Sequence, residues 1–120
     1  MSYVDGYVLP VPTKNLAKYR RIASMAGRVW KDHGALEYRE CAGEDLAQKW
    51  GVPFPKMMNL KRGETVVFSW IVFKSRKHRD QVNAKVMKDP RMSKEAMEHA
   101  MGVFDHKRMV YGGFETLVDA

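Results

Sequence analysis

The sequence predicts an α+β fold in which helices cover one face of a four-stranded antiparallel sheet. Residues 64–73, ETVVFSWIVF, form the clearest strand because they are mainly β-branched or aromatic. Segments with apolar residues at helical spacing lie before and after this strand. The predicted elements follow the order β-α-β-β-α-β, with one short helix added before the last strand.

The strand at residues 64–73 is apolar on both faces. One face carries Val66, Phe68, Trp70 and Val72, and the other carries Val67, Ile71 and Phe73. Such a strand must be covered on both sides. The helices of so short a chain can cover one side, so we expect a second copy to cover the other, which makes the protein a homodimer.

The first half of the chain predicts a strand, a helix and a second strand. Residues 3–9 alternate well enough for a strand, and the prolines that follow stop it. Thr13 can cap a helix that Gly34 ends, since apolar residues between them repeat at spacings of three and four. Residues 35–43 follow as the second strand.

Residues 44–63 form a long connection between the second and third strands. Gly51, Pro53 and Pro55 break any regular element there. A connection of this length in a compact domain is usually a lid, a binding loop or an arm that contacts a partner. Because it carries Phe54 and several methionines, we expect it to pack over an edge or mouth of the sheet.

The second half of the chain completes the fold. Ser75 caps a second helix that the Asp-Pro pair at residues 89–90 ends. A short helix is predicted over residues 93–101, and the last strand over residues 108–117. The whole order is the split βαβ, or ferredoxin-like, arrangement of a single domain, with strand order 4-1-3-2.

Composition narrows the class of protein. Of the 120 residues, 45% are hydrophobic and 11% aromatic, which is typical of a globular chain. We expect no signal peptide, because the N-terminus lacks a basic segment followed by an apolar run. No apolar stretch approaches the roughly 20 residues of a membrane span. Cys41 is the only cysteine, so we expect no intrachain disulfide and a cytoplasmic location.

The net charge of +7 is concentrated in two segments. Residues 13–34 carry six Lys/Arg against one Asp, and residues 74–91 carry seven against two. Both segments are predicted helices, so the charge is expected on helix surfaces rather than in a groove. A solvated helix face explains it. The alternative is a non-catalytic binding or interaction module that contacts acidic partners through these basic helices.

Several segments carry a family resemblance. They are YVDGYVLPVP at residues 3–12, WKDHGALEY at 30–38, FSWIV at 68–72 and RMVYGGFE at 108–115. With them the chain resembles the bacterial YbaA-like family, domain-of-unknown-function family 1428, nearly from end to end. The resemblance implies a dimeric α+β barrel, a fold that small monooxygenases, isomerases and haem-handling enzymes also have. It implies no particular activity.

The bare sheet face is the expected ligand site, because dimerisation would turn it into a cavity. In the first strand we direct Val4 and Val8 toward the helices, which leaves Asp5 and Tyr7 in the cleft with Leu9. Asp5 could then act as a general base. The alternative is a structural Asp that bonds backbone amides or an Arg of the partner chain.

The other strands supply the remaining candidates. In the last strand we direct Val110 and Phe114 toward the helices, which leaves Tyr111 as a catalytic candidate and Glu115 as a ligand-binding one. The third strand fits either way, and we place Phe68 and Trp70 in the cleft. The second strand is also ambiguous, with Tyr38 and Glu40 on one face and Glu37, Arg39 and Cys41 on the other. Tyr38 joins the ligand-binding candidates.

No metal or cofactor is predicted. The four histidines form no metal-binding pair, and a single cysteine excludes a structural zinc site. His33 is a catalytic candidate at the barrel mouth, although the dipole of the helix that ends beside it also explains it. The sequence has no dinucleotide fingerprint, phosphate loop or nucleophile elbow. No sequence motif marks an axial haem ligand.

RNA-recognition domains share the same order of elements and an aromatic third strand. Their motif begins with Lys/Arg-Gly, whereas Val66 and Val67 stand in those places here, and the positive charge lies on the helix side. Nucleic acid is therefore not an expected partner, and neither is a membrane. The predicted function is binding of a small organic molecule between the sheets of a cytoplasmic homodimer. Cofactor-independent oxidation or isomerisation is its enzymatic form, by analogy of fold only.

Overall fold

The computed structural model describes residues 1–120. Its four strands are β1 (Tyr3–Pro12), β2 (Glu37–Ala42), β3 (Glu64–Phe73) and β4 (Val110–Glu115). Its helices are α1 (Leu16–Asp32), α2 (Phe54–Met57), α3 (Arg76–Lys88) and α4 (Lys94–Met101), with 3-10 turns at Thr13–Asn15, Pro90–Met92 and His106–Arg108. None of these helices combines the length and the apolar character needed to cross a bilayer.

The sheet has the order β2-β3-β1-β4, and every neighbouring pair is antiparallel. This confirms the predicted ferredoxin-like α+β arrangement. The predicted start of α3 and end of α1 are confirmed. At the start of α3, the Ser75 side chain accepts a hydrogen bond from the backbone N–H of His78 at 3.1 Å. Just after α1, Gly34 has a φ of 113°.

The main core lies between β3 and the two long helices. Ile71 and Phe73 of β3 are buried against Val29 of α1 and against Val82 and Val86 of α3. A second, smaller cluster lies at the other end of the same face and consists of Leu9, Val11 and Val67. Together these clusters fix which side of each strand faces the helices.

Two strands have the opposite orientation to the one predicted. Asp5, Tyr7 and Leu9 lie on the helix face, because their partners across β3 are Ile71, Ser69 and Val67. Val4 and Val8 therefore lie on the open face, and our orientation of the first strand was wrong. The physical reason is that a carboxylate can be buried under a helix when the helix supplies its counter-ion, as α3 does here.

The same correction applies to β4. Tyr111 pairs with Tyr7 and thus lies on the helix face, whereas Val110 and Phe114 are on the open face and are 52% and 60% exposed. Glu115 pairs with Tyr3 at the end of the strand. The placement of Phe68 and Trp70 on the open face was correct, since the alternate residues of β3 form the core.

The connection between β2 and β3 packs on one end of the open face. The Phe54 ring of α2 contacts Phe68 edge-on, with ring centroids 6.3 Å apart. Met58 is buried, whereas Trp50 is 91% exposed. One half of the segment thus covers sheet surface, and the half around Trp50 projects from it.

Candidate functional site

A groove of about 760 Å³ lies on the helix face, between α1 and the edge strand β2. Tyr19 and Gly27 of α1 line one wall, and Tyr38 and Glu40 of β2 line the other. Gly27 allows this geometry, because a Cβ at that position would lie 2.8 Å from Cδ1 of Tyr38. The close approach of the helix to the Tyr38 ring holds that ring in the wall of the groove.

Glu40 is the central polar group of the groove. One of its carboxylate oxygens accepts a hydrogen bond from the Tyr19 hydroxyl, and the other accepts from the Tyr38 hydroxyl at 2.5 Å. No Lys, Arg or His side chain forms a salt bridge with Glu40. Its charge is therefore stabilised by two neutral donors only.

Burial sets the protonation behaviour of this cluster. Burial raises the pKa of the Glu40 carboxyl, and the two tyrosine hydrogen bonds offset part of that rise. Burial and the neighbouring Glu40 charge raise the pKa of both tyrosines well above the ordinary value for a phenol. The hydroxyls therefore stay protonated donors at neutral pH, and Glu40 is the group of the cluster that can take up a proton.

The rim of the groove is positively charged. Arg20, Arg28 and Lys31 of α1, referred to below as the rim cations, line it. The two arginines form no salt bridge, and the Lys31 ammonium donates to the backbone carbonyl of Leu36 at 2.9 Å. The one acidic residue of the rim, Asp32, is already paired with Arg91 at 2.8 Å. A negatively charged ligand would find unpaired cations here.

A row of polar side chains crosses the sheet beneath the helices. Glu40 pairs with Ser69, Ser69 with Tyr7, and Tyr7 with Tyr111, one residue from each strand. The row lies between the two apolar clusters of the core. Its Glu40 end opens into the groove, and the other end leads to Asp5.

Asp5, Tyr7 and Tyr111 do lie together, but under α3 rather than in an inter-sheet cleft. Asp5 is completely buried, and its Oδ1 accepts from Nη1 of Arg79 at 2.7 Å. The same nitrogen is 3.4 Å from the Tyr111 hydroxyl, and the rings of Tyr7 and Tyr111 stack with centroids 4.8 Å apart. Oδ2 of Asp5 has no hydrogen-bond partner. The counter-ion is thus an Arg of the same chain.

The other predicted site residues lie apart from this cluster. His33 follows the last residue of α1, and its Nε2 lies 2.8 Å from Oδ2 of Asp89, which follows α3. This contact gives His33 a structural role, because it joins the ends of the two long helices. Phe68 and Trp70 are neighbours on the open face, with ring centroids 5.5 Å apart. The structure contains no group of three or more His, Cys, Asp or Glu side chains that could hold a metal ion.

Sequence reasoning missed Tyr19, Glu40 and the rim cations as site residues. Tyr19 fits the apolar stripe of α1, and the arginines fit a solvated helix face, so neither pattern indicates a site. A signal did exist in β2, where Tyr38 and Glu40 share a face. If that face is turned toward the helices, the Glu40 carboxylate lies beneath α1. A carboxylate in that position needs hydrogen-bond donors, because it has lost part of its contact with water.

Comparison with known families adds one finding. Residues 2–106 match the model of a family described as a protein of unknown function, DUF1428. The chain belongs to the DUF1428 family. This confirms the resemblance seen in the sequence. The uncharacterized protein YbaA of Escherichia coli strain K12 is 41% identical over 121 residues, which cover 99% of each chain.

Solved structures support the fold of this DUF1428 protein. An uncharacterized NIPSNAP domain protein from Burkholderia xenovorans superposes with a TM-score of 0.63 at 12% identity, over 98% of this chain and 97% of that one. A dimeric ferredoxin-like protein from an uncultured marine organism gives a TM-score of 0.64 at 8% identity, with both chains fully covered. At such low identity, these similarities establish the fold alone.

Proposed function

We propose that the protein is a homodimer that binds a small organic anion in the groove between α1 and β2. The observation that carries this proposal is the combination of the Tyr19–Glu40–Tyr38 cluster with an unpaired cationic rim in one groove. The volume of about 760 Å³ falls within the usual range for small-molecule sites, roughly 300–1,000 Å³.

The proposed ligand has an apolar body and an acidic group. Tyrosine rings, Ala23 and Val67 offer apolar contact along the groove. A planar guanidinium of Arg20 or Arg28 can bind a carboxylate through two parallel hydrogen bonds. We place the ligand here rather than between the sheets, because the arginines that line this groove form no salt bridge, whereas Arg39 on the open face is already paired with Glu37.

The open sheet face supports the proposed homodimer. Phe68, Val110 and Phe114 are 44%, 52% and 60% exposed on one surface, together with Trp70. An apolar patch of this kind on a small domain is a characteristic docking surface. A second copy offers the same flat apolar face, and the similar ferredoxin-like protein is described as dimeric. A cytoplasmic location is part of the proposal, since Cys41 is exposed and unpaired.

Ligand titration tests the groove. We expect the wild-type protein to bind benzoate or phenylpyruvate, and to bind the uncharged benzamide more weakly. The variant Arg28→Gln should lose about tenfold in affinity, which corresponds to about 1.4 kcal/mol. Arg21→Gln is the matched control, because Arg21 lies on the same helix but does not line the groove. Isothermal titration calorimetry measures the dissociation constants of all three ligands.

Two results would refute this proposal. The first is a dissociation constant weaker than about 1 mM for both anions. The second is an equal loss in the two arginine variants. An equal loss is instead what the alternative predicts, in which the basic helices contact an acidic partner through their general charge.

Sedimentation analysis tests the dimer. The wild-type protein should have about twice the chain mass of 13.9 kDa at micromolar concentration. Phe114→Glu removes one phenylalanine per subunit from the interface. In a symmetric dimer, the loss of two buried phenylalanines weakens association by about 3–6 kcal/mol, so the variant should be a monomer. Met87→Glu is the control, because Met87 is similarly exposed, at 55%, but belongs to α3. A monomeric wild-type protein would refute the dimer.

A further inference from the structure

The carboxylate of Glu40 has the surroundings of a proton-transfer group. It lines an open groove, and each of its oxygens already holds a hydrogen-bond donor. No cation neutralises it, so only the two tyrosine hydrogen bonds oppose its protonation. Asp5, by contrast, is paired with Arg79 at 2.7 Å.

We infer that Glu40 is a general base that removes a proton from the carbon next to a carbonyl group of the bound anion. This inference rests on the proposed function, since it requires an anion in the groove. Its substrate class is the 2-oxo acids, whose carboxylate suits the rim cations and whose neighbouring carbonyl acidifies the adjacent C–H. The reaction is enolisation, and with a suitably placed double bond it becomes a 1,3-proton shift.

The proton and the electrons balance without a cofactor. Glu40 takes the proton, the electron pair of the C–H bond forms a C=C bond, and the electrons of the carbonyl move to its oxygen. The enolate is then protonated again by the same Glu40, at the original carbon or at the far end of a conjugated double bond. No oxidant or reductant takes part, and Glu40 returns to its carboxylate form.

The tyrosines stabilise the oxyanion of the enolate. When one oxygen of Glu40 accepts the proton, that oxygen no longer carries the charge that its tyrosine was stabilising. The hydroxyl of Tyr38, or that of Tyr19, is then free to donate to the enolate oxygen. Both hydroxyls remain protonated because burial and the Glu40 charge raise the pKa of each. The negative charge moves from Glu40 to the substrate while the donors remain in place.

Deuterium exchange into phenylpyruvate tests the inference. The wild-type protein in D2O should accelerate loss of the C3 proton signal in NMR spectra, with a rate that saturates as phenylpyruvate is raised. Glu40→Gln should slow this exchange by at least about 100-fold, the usual contribution of a general base. Its affinity for phenylpyruvate, measured in parallel by calorimetry, should change by less than about tenfold. Glu44→Gln removes an exposed carboxyl just beyond β2 that does not line the groove, and should exchange like the wild type.

The pH profile of the wild-type protein distinguishes a base from a structural carboxylate. The exchange rate should fall as the pH is lowered through a value above the ordinary pKa of this glutamate, 4.5. Glu40 faces Tyr19 from α1, Tyr38 from its own strand and Tyr7 from β1, with the rim cations at the mouth of the groove. Burial raises the pKa of each of these three tyrosines, so their hydroxyls stay protonated throughout this pH profile. Asp32 and Cys41 also line the groove, so the fall reports Glu40 when Glu40→Gln lacks it.

The outcomes separate this inference from the proposed function. Binding of phenylpyruvate with no exchange above the Glu40→Gln rate overturns the inference and leaves the binding function intact. Absence of binding overturns both. If Glu40→Gln does not fold, Tyr38→Phe keeps the base and replaces it in the test. It should slow exchange by at least about tenfold at unchanged affinity, and a wild-type rate in that variant overturns the inference, because the mechanism requires the tyrosine hydrogen bonds around Glu40.

Discussion

The buried ion pair between Asp5 and Arg79 gives the sharpest stability prediction. Asp5 is completely buried, and the Arg79 side chain is only 13% exposed, with 2.7 Å between Oδ1 and Nη1. Asp5→Asn keeps the shape but leaves Arg79 without its buried counter-ion. Removal of one partner from a buried pair costs about 3–5 kcal/mol. Asn still offers a neutral acceptor, which recovers about 1 kcal/mol, so we expect a loss of about 2–4 kcal/mol.

Asp80 provides a matched control on the same arginine. Its Oδ1 accepts from Nε of Arg79 at the same distance, 2.7 Å, but the Asp80 side chain is 61% exposed. Asp80→Asn should therefore cost less than about 1 kcal/mol, as exposed ion pairs do. The two substitutions remove the same charge from the same partner and differ mainly in burial.

Urea unfolding at one fixed protomer concentration measures the stability of both variants, because the unfolding of the proposed dimer would depend on concentration. The entropy of unfolding expected for a chain of this size is about 0.25 kcal/mol per kelvin, so the melting temperature of Asp5→Asn should fall by about 8–16 °C. A loss below about 1 kcal/mol for Asp5→Asn, or equal losses in both variants, would refute the structural role. A stable Asp5→Asn variant that had lost exchange activity would instead restore Asp5 as a general base.

Three further predictions concern groups at the edge of the core. Since burial raises the pKa of Glu40, the folded state holds its proton more tightly than the unfolded chain. The ionised Glu40 carboxylate therefore destabilises the folded state increasingly as the pH rises above 4.5, the pKa of this group in the unfolded chain. Glu40→Gln should thus gain stability relative to wild type between pH 4 and pH 7 in urea titrations. Gly27→Ala should displace the Tyr38 ring, at a net cost of about 1–2 kcal/mol, and weaken phenylpyruvate binding in calorimetry. Hydrogen bonds from Arg91 and then His33 lower the pKa of Asp89, so Asp89→Asn should destabilise the protein at pH 7, and by progressively less as the pH is lowered below 3.8 in urea titrations.

The sequence was sufficient for the order of elements and for the sheet topology. The alternation in β1, the apolar run of β3, the serine cap of α3 and the glycine after α1 are all local signals, and local signals mark where elements begin and end. The orientation of β1 was not predictable in the same way. It depends on Arg79, which lies 74 residues beyond Asp5 in the sequence. In the sequence, Arg79 is one of several cations of a helix, a pattern that is typical of a solvent-exposed face.

The candidate site was harder to predict for a related reason. Tyr19 suits the apolar stripe of α1, and its role depends on a hydroxyl that meets Glu40 only after the helix has packed on β2. The strand pattern showed Tyr38 and Glu40 on one face but gave no direction for that face. One signal inside β3 was not interpreted. Ser69 interrupts an apolar run, and it marks the polar row that crosses the sheet.

That polar row is costly for the fold, which is the strongest physical argument that it has a function. The row of Glu40, Ser69, Tyr7 and Tyr111 separates two apolar clusters that could have merged into one core. An apolar residue in place of Glu40 would avoid the desolvation of a carboxylate. On the open face, Phe68, Val110 and Phe114 form an exposed apolar surface for the proposed second copy, and Glu37 and Arg39 lie at its β2 edge. Under the proposed function, the open face would hold two copies of the chain together, and the helix face would bind an anion and move a proton.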